Sequence, residues 1–348
     1  MNVIRSRVFW LGVIILCLGV AAGVFAYNYG RSLGRALPVG DAPKIASTFV
    51  PTAAATVNPF EVTAQPAPIV IQKAWDGKER LNVLLMGIDQ RQGETELGYR
   101  TDTMIVLTLD PATLQGGMLS VPRDMWVPIP GYGNARINTA NDIGDRVKYP
   151  GGGPALARKT VENVLGIKIQ HYVRLNFTAF EDVIDRLGGI TVDVPNDILD
   201  PTYPTDTYST QVFSITHGIQ KLNGDVALKY ARTRHNSTDF ERAKRQQQVM
   251  LAVQEQLKNP RIALSLFASG PEIMQNLSSS VQTDLTLDQI QQLATLATQI
   301  DRKNIRSEVI DENYTEYRDT ADGQNVVVPN RAAMAKLRTS FFTSTPVQ

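Results

Sequence analysis

The densest group of residues able to do chemistry runs from Tyr230 to Gln246 and holds Arg232, Arg234, Arg242, Lys244 and Arg245, with Asp239 among them. In an extended segment, Arg232 and Arg234 stand two apart and project to one face, so both guanidinium forks can meet one ligand. A helix opening near Asp239 puts Arg242, Arg245 and Gln246 at i, i+3 and i+4. They then share a face close to N-terminal turns whose free N–H groups favour an anion. The chemistry of such a set is the binding of phosphate or pyrophosphate. Spacing alone also admits a solvated basic face, with Asp239 as no more than a helix cap.

Carboxylates make a second group. Asp89 ends an apolar run of strand length, and Asp102 heads the next within Arg100-Thr-Asp102-Thr. Carboxylates at neighbouring strand ends can share a hard cation such as Mg²⁺, which keeps several waters and takes substrate phosphate oxygens as further ligands. A turn residue and a strand cap are the plainer readings. Ser120-Val-Pro122-Arg123-Asp124 places a cation directly after an apolar stretch, with Arg136-Ile-Asn138 following in a loop; for Arg123 the plainer reading is a surface salt bridge. His171, His217 and His235 are scattered without metal-binding spacing, which argues against zinc. The sequence holds no G-x-S-x-G, Walker A or paired-cysteine motif, and so falls outside the common hydrolase, NTPase and redox classes.

The elements that must position these groups lie between two atypical ends. Val8–Tyr27 is an uncharged apolar run whose length matches a hydrocarbon core of about 30 Å. Arg5 and Arg7 precede it, which predicts a cytoplasmic N-terminus and an extracytoplasmic remainder. A cleaved signal peptide is the alternative. From about Gly30 to Val70 the chain is rich in Pro, Ala and Thr and has the composition of a partly extended linker. The last fifteen or so residues have the composition of a frayed tail. Cys17 is the only cysteine, so stability must come from packing. With 35 Lys and Arg against 34 Asp and Glu, no global field attracts nucleic acid.

Between the ends, strands are expected at Leu81–Gly87, Thr103–Leu109, Met118–Val121, Met125–Ile129, His171–Phe177 and Ile190–Val194. Helices are expected at Gly153–Leu165, after a cap at Thr178, at Asn223–Tyr230, from Asp239 to about Leu257, and near Arg261–Asn276 and Leu287–Ile300. A brief strand is expected around Ala231–His235. Interleaved strands and helices imply an α/β sandwich, with the apolar faces of a sheet covered by helices.

Seven segments in order resemble the LytR-CpsA-Psr family of cell-wall glycopolymer ligases: LLMGIDQR, RTDTMIVLTLDP, LSVPRDMWVPIPGYGNARINTAND, GGGPALARKTVENVLGI, HYVRLNFTAFEDVIDRLGGITVDVPNDI, LNGDVALKYARTRH and DFERAKRQQQV. The match runs from about Leu81 to Val253. It implies an α/β/α sandwich with a mixed central sheet over residues 77–312. A short cytoplasmic segment (1–7), a transmembrane helix (8–27) and a flexible linker (28–76) would precede this domain, and a tail (313–348) would follow. It further implies an apolar tunnel for the polyprenyl chain of a lipid-pyrophosphate-linked glycopolymer, and transfer of that polymer to a muramic acid hydroxyl of peptidoglycan. On matching positions, Asp89 and Asp102 correspond to the Mg²⁺-side carboxylates, and Arg123, Arg232, Arg234, Arg242 and Gln246 to the pyrophosphate contacts. Arg100, Asp239 and Arg245 fall within matching motifs, with Asp102 and Asp239 both open as the base. The stretch His-Asn-Ser-Thr between Arg234 and Asp239 is shorter than in many relatives. A membrane-tethered binding or regulatory protein and a lipid pyrophosphatase are the rival functions. A pure binder would not need the carboxylate pair.

Overall fold

The computed structural model describes residues 77–342 apart from 91–93, 95–97, 206–208, 235–237, 269–279 and 321–322. The run Val8–Tyr27, the linker and His235 lie outside the described residues. The chain opens with three strands, β1 (Leu81–Ile88), β2 (Thr101–Asp110) and β3 (Gln115–Ser120), and a small hairpin, β4 (Trp126–Ile129) with β5 (Gly133–Arg136). Helices α1 (Thr139–Arg146) and α2 (Gly152–Leu165) lead to β6 (His171–Leu175) and α3 (Phe177–Arg186). Four short strands follow: β7 (Ile190–Val194), β8 (Ile198–Pro204), β9 (Thr210–Ile215) and β10 (Gly218–Leu222). Then come α4 (Gly224–Arg232), α5 (Asp239–Leu257), α6 (Pro260–Ala268), β11 (Val281–Thr283) and α7 (Leu287–Gln299). The described chain ends with β12 (Ile305–Val309), β13 (Thr315–Asp319), β14 (Asn325–Pro329) and α8 (Arg331–Phe342).

The main sheet has the order β11-β6-β1-β2-β3-β12. It is mixed: β1 runs parallel to β6 and β3 to β12, and the other neighbours are antiparallel. β1 is apolar without alternation because both of its faces are covered. Leu84 and Met86 pack with Met104, Val106 and Leu119 against the layer that holds α2 and α8. Leu81 and Val83 point the other way, to Leu285, Ile290 and Leu293. A second core, built from Ile184, Val192, Phe213, Tyr230 and Val249 among others, joins α3, α4 and α5 to the smaller strands.

Three expectations are corrected. The helix α4 continues through Arg232 and gives way to non-helical backbone at Thr233, so no strand forms at Ala231–His235 among the described residues. Asn176, not Thr178, caps α3 by accepting from Ala179 N. The helix α5 spans Asp239–Leu257 as expected, and Thr238 caps it in a capping box with Glu241, so Asp239 is its first helical residue and not its cap. The C-terminal segment is folded rather than frayed as far as Phe342, with residues 343–348 outside the described residues: β13 and β14 pair, and Met334, Leu337 and Phe341 of α8 belong to the main core. The structured domain therefore extends beyond residue 312. The capping box of Thr286 with Gln289 at α7 is present as expected.

Because Leu337 is 2% exposed, Leu337→Ala should lower unfolding free energy by about 2–5 kcal/mol, read from urea denaturation. A tail that merely lay on the surface would show a change of about 0.5 kcal/mol or less.

Candidate functional site

β1 and β2 are antiparallel, so the end of one meets the start of the other. Gly87 pairs with Thr103 and Ile88 with Thr101, which leaves Asp102 as the extra residue of a β-bulge. A bulge re-aims the side chain it carries. Asp89 follows β1 at the same edge, and both carboxylates line one cavity of about 450 Å³. Leu85, Phe180, Ile184, Val249 and Val253 line the apolar part of this cavity, and Arg232, Arg234, Arg242 and Gln246 join the two carboxylates in its polar part.

Each cation is placed by a different device. Arg232 closes the last turn of α4. Its guanidinium carbon lies 3.8 Å from the centre of the Phe177 ring, and its nitrogens reach Tyr203 Oη at 3.2 Å and Asp89 Oδ2 at 3.6 Å. Arg123 donates to Asp102 Oδ1 at 2.6 Å, and its Nε stands 3.5 Å from Asp124 and 3.7 Å from Asp239 without hydrogen-bonding either. Burial opposes the Arg123 charge, but the hydrogen bond and charge of Asp102, helped by Asp124 and Asp239, outweigh it and raise the pKa. Arg242 differs. It is 8% exposed, and its Nε has no hydrogen-bond partner. Burial lowers its pKa, Asp239 offsets this in part, and nearby Arg123 and Arg234 add to the depression. A buried guanidinium with an unused donor and two cationic neighbours is short of negative charge, which is what a bound phosphate would supply.

The structure thus gathers Asp89, Asp102, Arg123, Arg232, Arg234, Asp239, Arg242 and Gln246 in one region. Arg232 and Arg234 arrive there by a different route from the expected strand: one ends a helix, the other sits in the segment after it. Arg245 points behind the site, where Nε donates to Tyr230 O at 3.0 Å and Nη2 donates to Thr233 O. Its work is to hold the end of α4. Arg100 is exposed and is not among the residues lining the cavity. Sequence reasoning missed Phe177, Tyr203 and Asp200. Asp200 is 4% exposed and accepts from Thr233 Oγ1 at 2.7 Å, tying the β8–β9 hairpin to the arginine segment. A buried aspartate carries no spacing signal of its own, so only the fold reveals it.

The LytR_cpsA_psr family model matches residues 48–342 of this sequence. The chain belongs to the LytR-CpsA-Psr family. It is 33% identical over 298 residues to a polyisoprenyl-teichoic acid–peptidoglycan teichoic acid transferase, TagU of Oceanobacillus iheyensis, and the match covers 84% of this chain and 81% of TagU. The crystal structure of Bacillus subtilis TagV superposes with a TM-score of 0.59 at 30% identity, covering 76% of this chain and 96% of TagV. A structure of the LytR-CpsA-Psr protein TagT with bound octaprenyl pyrophosphate lipid gives 0.53 at 26% identity, covering 78% and 92%.

In this LytR-CpsA-Psr domain, Arg245→Met should lower stability by about 1–3 kcal/mol, because buried carbonyls lose their donor. Affinity for inorganic pyrophosphate, as a probe of the arginine cluster, should stay near the parental value below the unfolding transition. A selective loss of affinity with unchanged unfolding would instead put Arg245 in contact with the ligand.

Proposed function

We propose that this protein is a phosphotransferase that moves a glycopolymer from a polyprenyl-pyrophosphate carrier to a peptidoglycan hydroxyl. The observation that carries the proposal is the single cavity whose apolar interior suits a polyprenyl chain and whose rim holds Arg232, Arg234 and Arg242 where a pyrophosphate would lie. The relatives' names and the lipid-bound TagT structure support the donor class. The acceptor oxygen attacks the phosphorus nearest the sugar, the bond to the bridging oxygen breaks, and polyprenyl phosphate leaves with the electron pair. The hydroxyl proton passes to a carboxylate, Asp102 or Asp239. Fixed guanidiniums stabilise the charge on the phosphoryl oxygens without reorganising, so positioning and electrostatics supply the catalysis and no protein nucleophile is needed.

Asp89 and Asp102 fit a Mg²⁺ ion. They are hard oxygen donors lining one cavity, and an ion held there would complete its shell with water and phosphate oxygens. Bound there, Mg²⁺ would neutralise pyrophosphate charge. The run Val8–Tyr27 would anchor the domain on the outer side of the membrane, where its lipid donor resides.

The purified domain, incubated with a lipid-pyrophosphate-linked sugar, Mg²⁺ and nascent peptidoglycan, should yield sugar covalently joined to the wall through a phosphodiester. Arg234→Lys and Arg242→Lys should each slow this by at least about tenfold, since lysine keeps the charge but loses the planar fork. Arg261→Lys, on the exposed start of α6, should be neutral. Asp102→Ala should abolish metal stimulation with the fold intact. Parental rates in Arg234→Lys, Arg242→Lys and Asp102→Ala would remove this cluster from the reaction.

A further inference from the structure

A transferase with a buried leaving group needs a second entrance to the same phosphorus. The structure has one. A smaller cleft, about 190 Å³, shares Asp102, Thr103, Arg242 and Gln246 with the lipid-side cavity. Arg123, Asp124 and Asp239 line this cleft and not the larger cavity, and Phe240, Thr315 and Val327 also form its wall. The two hollows therefore meet at the residues proposed to hold the pyrophosphate.

We propose that this cleft is the acceptor site, and that the β13–β14 hairpin is the part of the protein that receives the acceptor sugar. The inference rests on the transferase reading above and extends it. In an in-line displacement the entering and leaving oxygens lie on opposite sides of phosphorus. The leaving polyprenyl phosphate occupies the apolar cavity, so the entering hydroxyl comes from the other hollow. Its chemistry suits an alcohol. Two carboxylates, Asp102 and Asp239, can take the proton, and Arg123 and Arg242 each keep a buried Nε without a hydrogen-bond partner. The volume is several times the roughly 30 Å³ share of one water. That is room for a hydroxymethyl group and part of its ring, not for a polymer. The hairpin is fixed to the site rather than draped over it, because Val327 forms a bridge with Met125, directly after Arg123 and Asp124; at the hairpin's own base Asn330 N donates to Tyr314 O at 2.9 Å. Thr315 on β13 and Val327 on β14 thus stand as a fixed wall facing Arg123, Asp239 and Arg242.

The test is a cleft-filling substitution, Val327→Phe, with Thr315→Leu on the facing strand as a second reading should the first not fold. Three quantities are measured on the full chain: octaprenyl pyrophosphate affinity, transfer of a lipid-linked sugar to a soluble peptidoglycan oligosaccharide, and release of polyprenyl phosphate with water as acceptor. The expected result is donor affinity within about twofold of parental and water-dependent release retained, with transfer lowered by at least about tenfold and the loss carried by the acceptor KM. Parental transfer by a folded, donor-binding variant would overturn the assignment, and so would an equal loss of donor affinity and transfer in both variants. A parental protein that binds donor but joins no sugar to the oligosaccharide would overturn the transferase reading itself, and the acceptor site with it.

Discussion

Three guanidiniums share one carboxylate at Asp239, from which Arg242 stands 3.6 Å, Arg123 3.7 Å and Arg234 3.8 Å. Asp102 and Asp124 supply Arg123 with further negative charge, whereas for Arg242 burial and its cationic neighbours outweigh the support of Asp239 and, more weakly, Asp102. Side chains left to themselves would relax this crowding by swinging into water. They stay because Arg242 is buried on a helix packed on the sheet and Arg123 is pinned to the bulged Asp102. The surplus of positive charge is thus built into the fold, and an anionic ligand relieves it without any movement of the scaffold.

Holding such a cluster makes demands on α5, and buried amides meet them. Gln247 donates to Ser120 Oγ at 2.9 Å and to Glu308 O at 2.7 Å, which fixes the helix to β3 and β12. Gln254, two turns on, donates to Ala297 O at 2.9 Å and Ile300 O at 2.8 Å at the end of α7. Gln248 accepts from Tyr230 Oη at 2.6 Å and so ties α5 to α4. Apolar packing alone permits a helix to slide or rotate at small cost. Hydrogen bonds between buried groups do not, because a shift leaves donors unsatisfied. Arg245 completes the set by bonding the carbonyls where α4 ends, and so determines where the chain leaves that helix for Arg234.

The strands that carry the site were legible because their residues face apolar surroundings on both sides: LNVLLMG and TMIVLTL lie in β1 and β2 within one or two residues of their expected ends. The periodicity of α5 was equally plain, and so was the convergence of Arg242 with Gln246. What failed were the places where local signals compete. The run from Ala231 onwards suggests a brief strand in which Arg232 and Arg234 share a face, but Tyr230 and Ala231 are drawn into the second core, and the helix persists to Arg232. The start of α5 at Asp239 was legible, while its cap was not: Thr238 with Glu241 forms the capping box, and Asp239 is the first helical residue. The bulge at Asp102 depends on the register of β2 against β1, which no local pattern announces, whereas β13 and β14 pair with each other across a short connection.

A lipid pyrophosphate joins a long apolar chain to a compact anion, and each wall of the cavity changes character along its length to match. On β1, Leu85, Gly87 and Asp89 line the cavity two residues apart, passing from apolar to acidic towards the strand end. On α5, Arg242 and Gln246 are followed by Val249, Met250 and Val253, which is one helical face changing from polar to apolar over three turns. On α4, Leu228 and Ala231 precede Arg232. A ligand whose apolar chain lies against the apolar lining residues would have its pyrophosphate placed by the polar ones on the same elements. Binding energy from the non-reacting tail can then be spent on aligning the phosphorus with the arginines, which raises the rate of transfer rather than only the affinity.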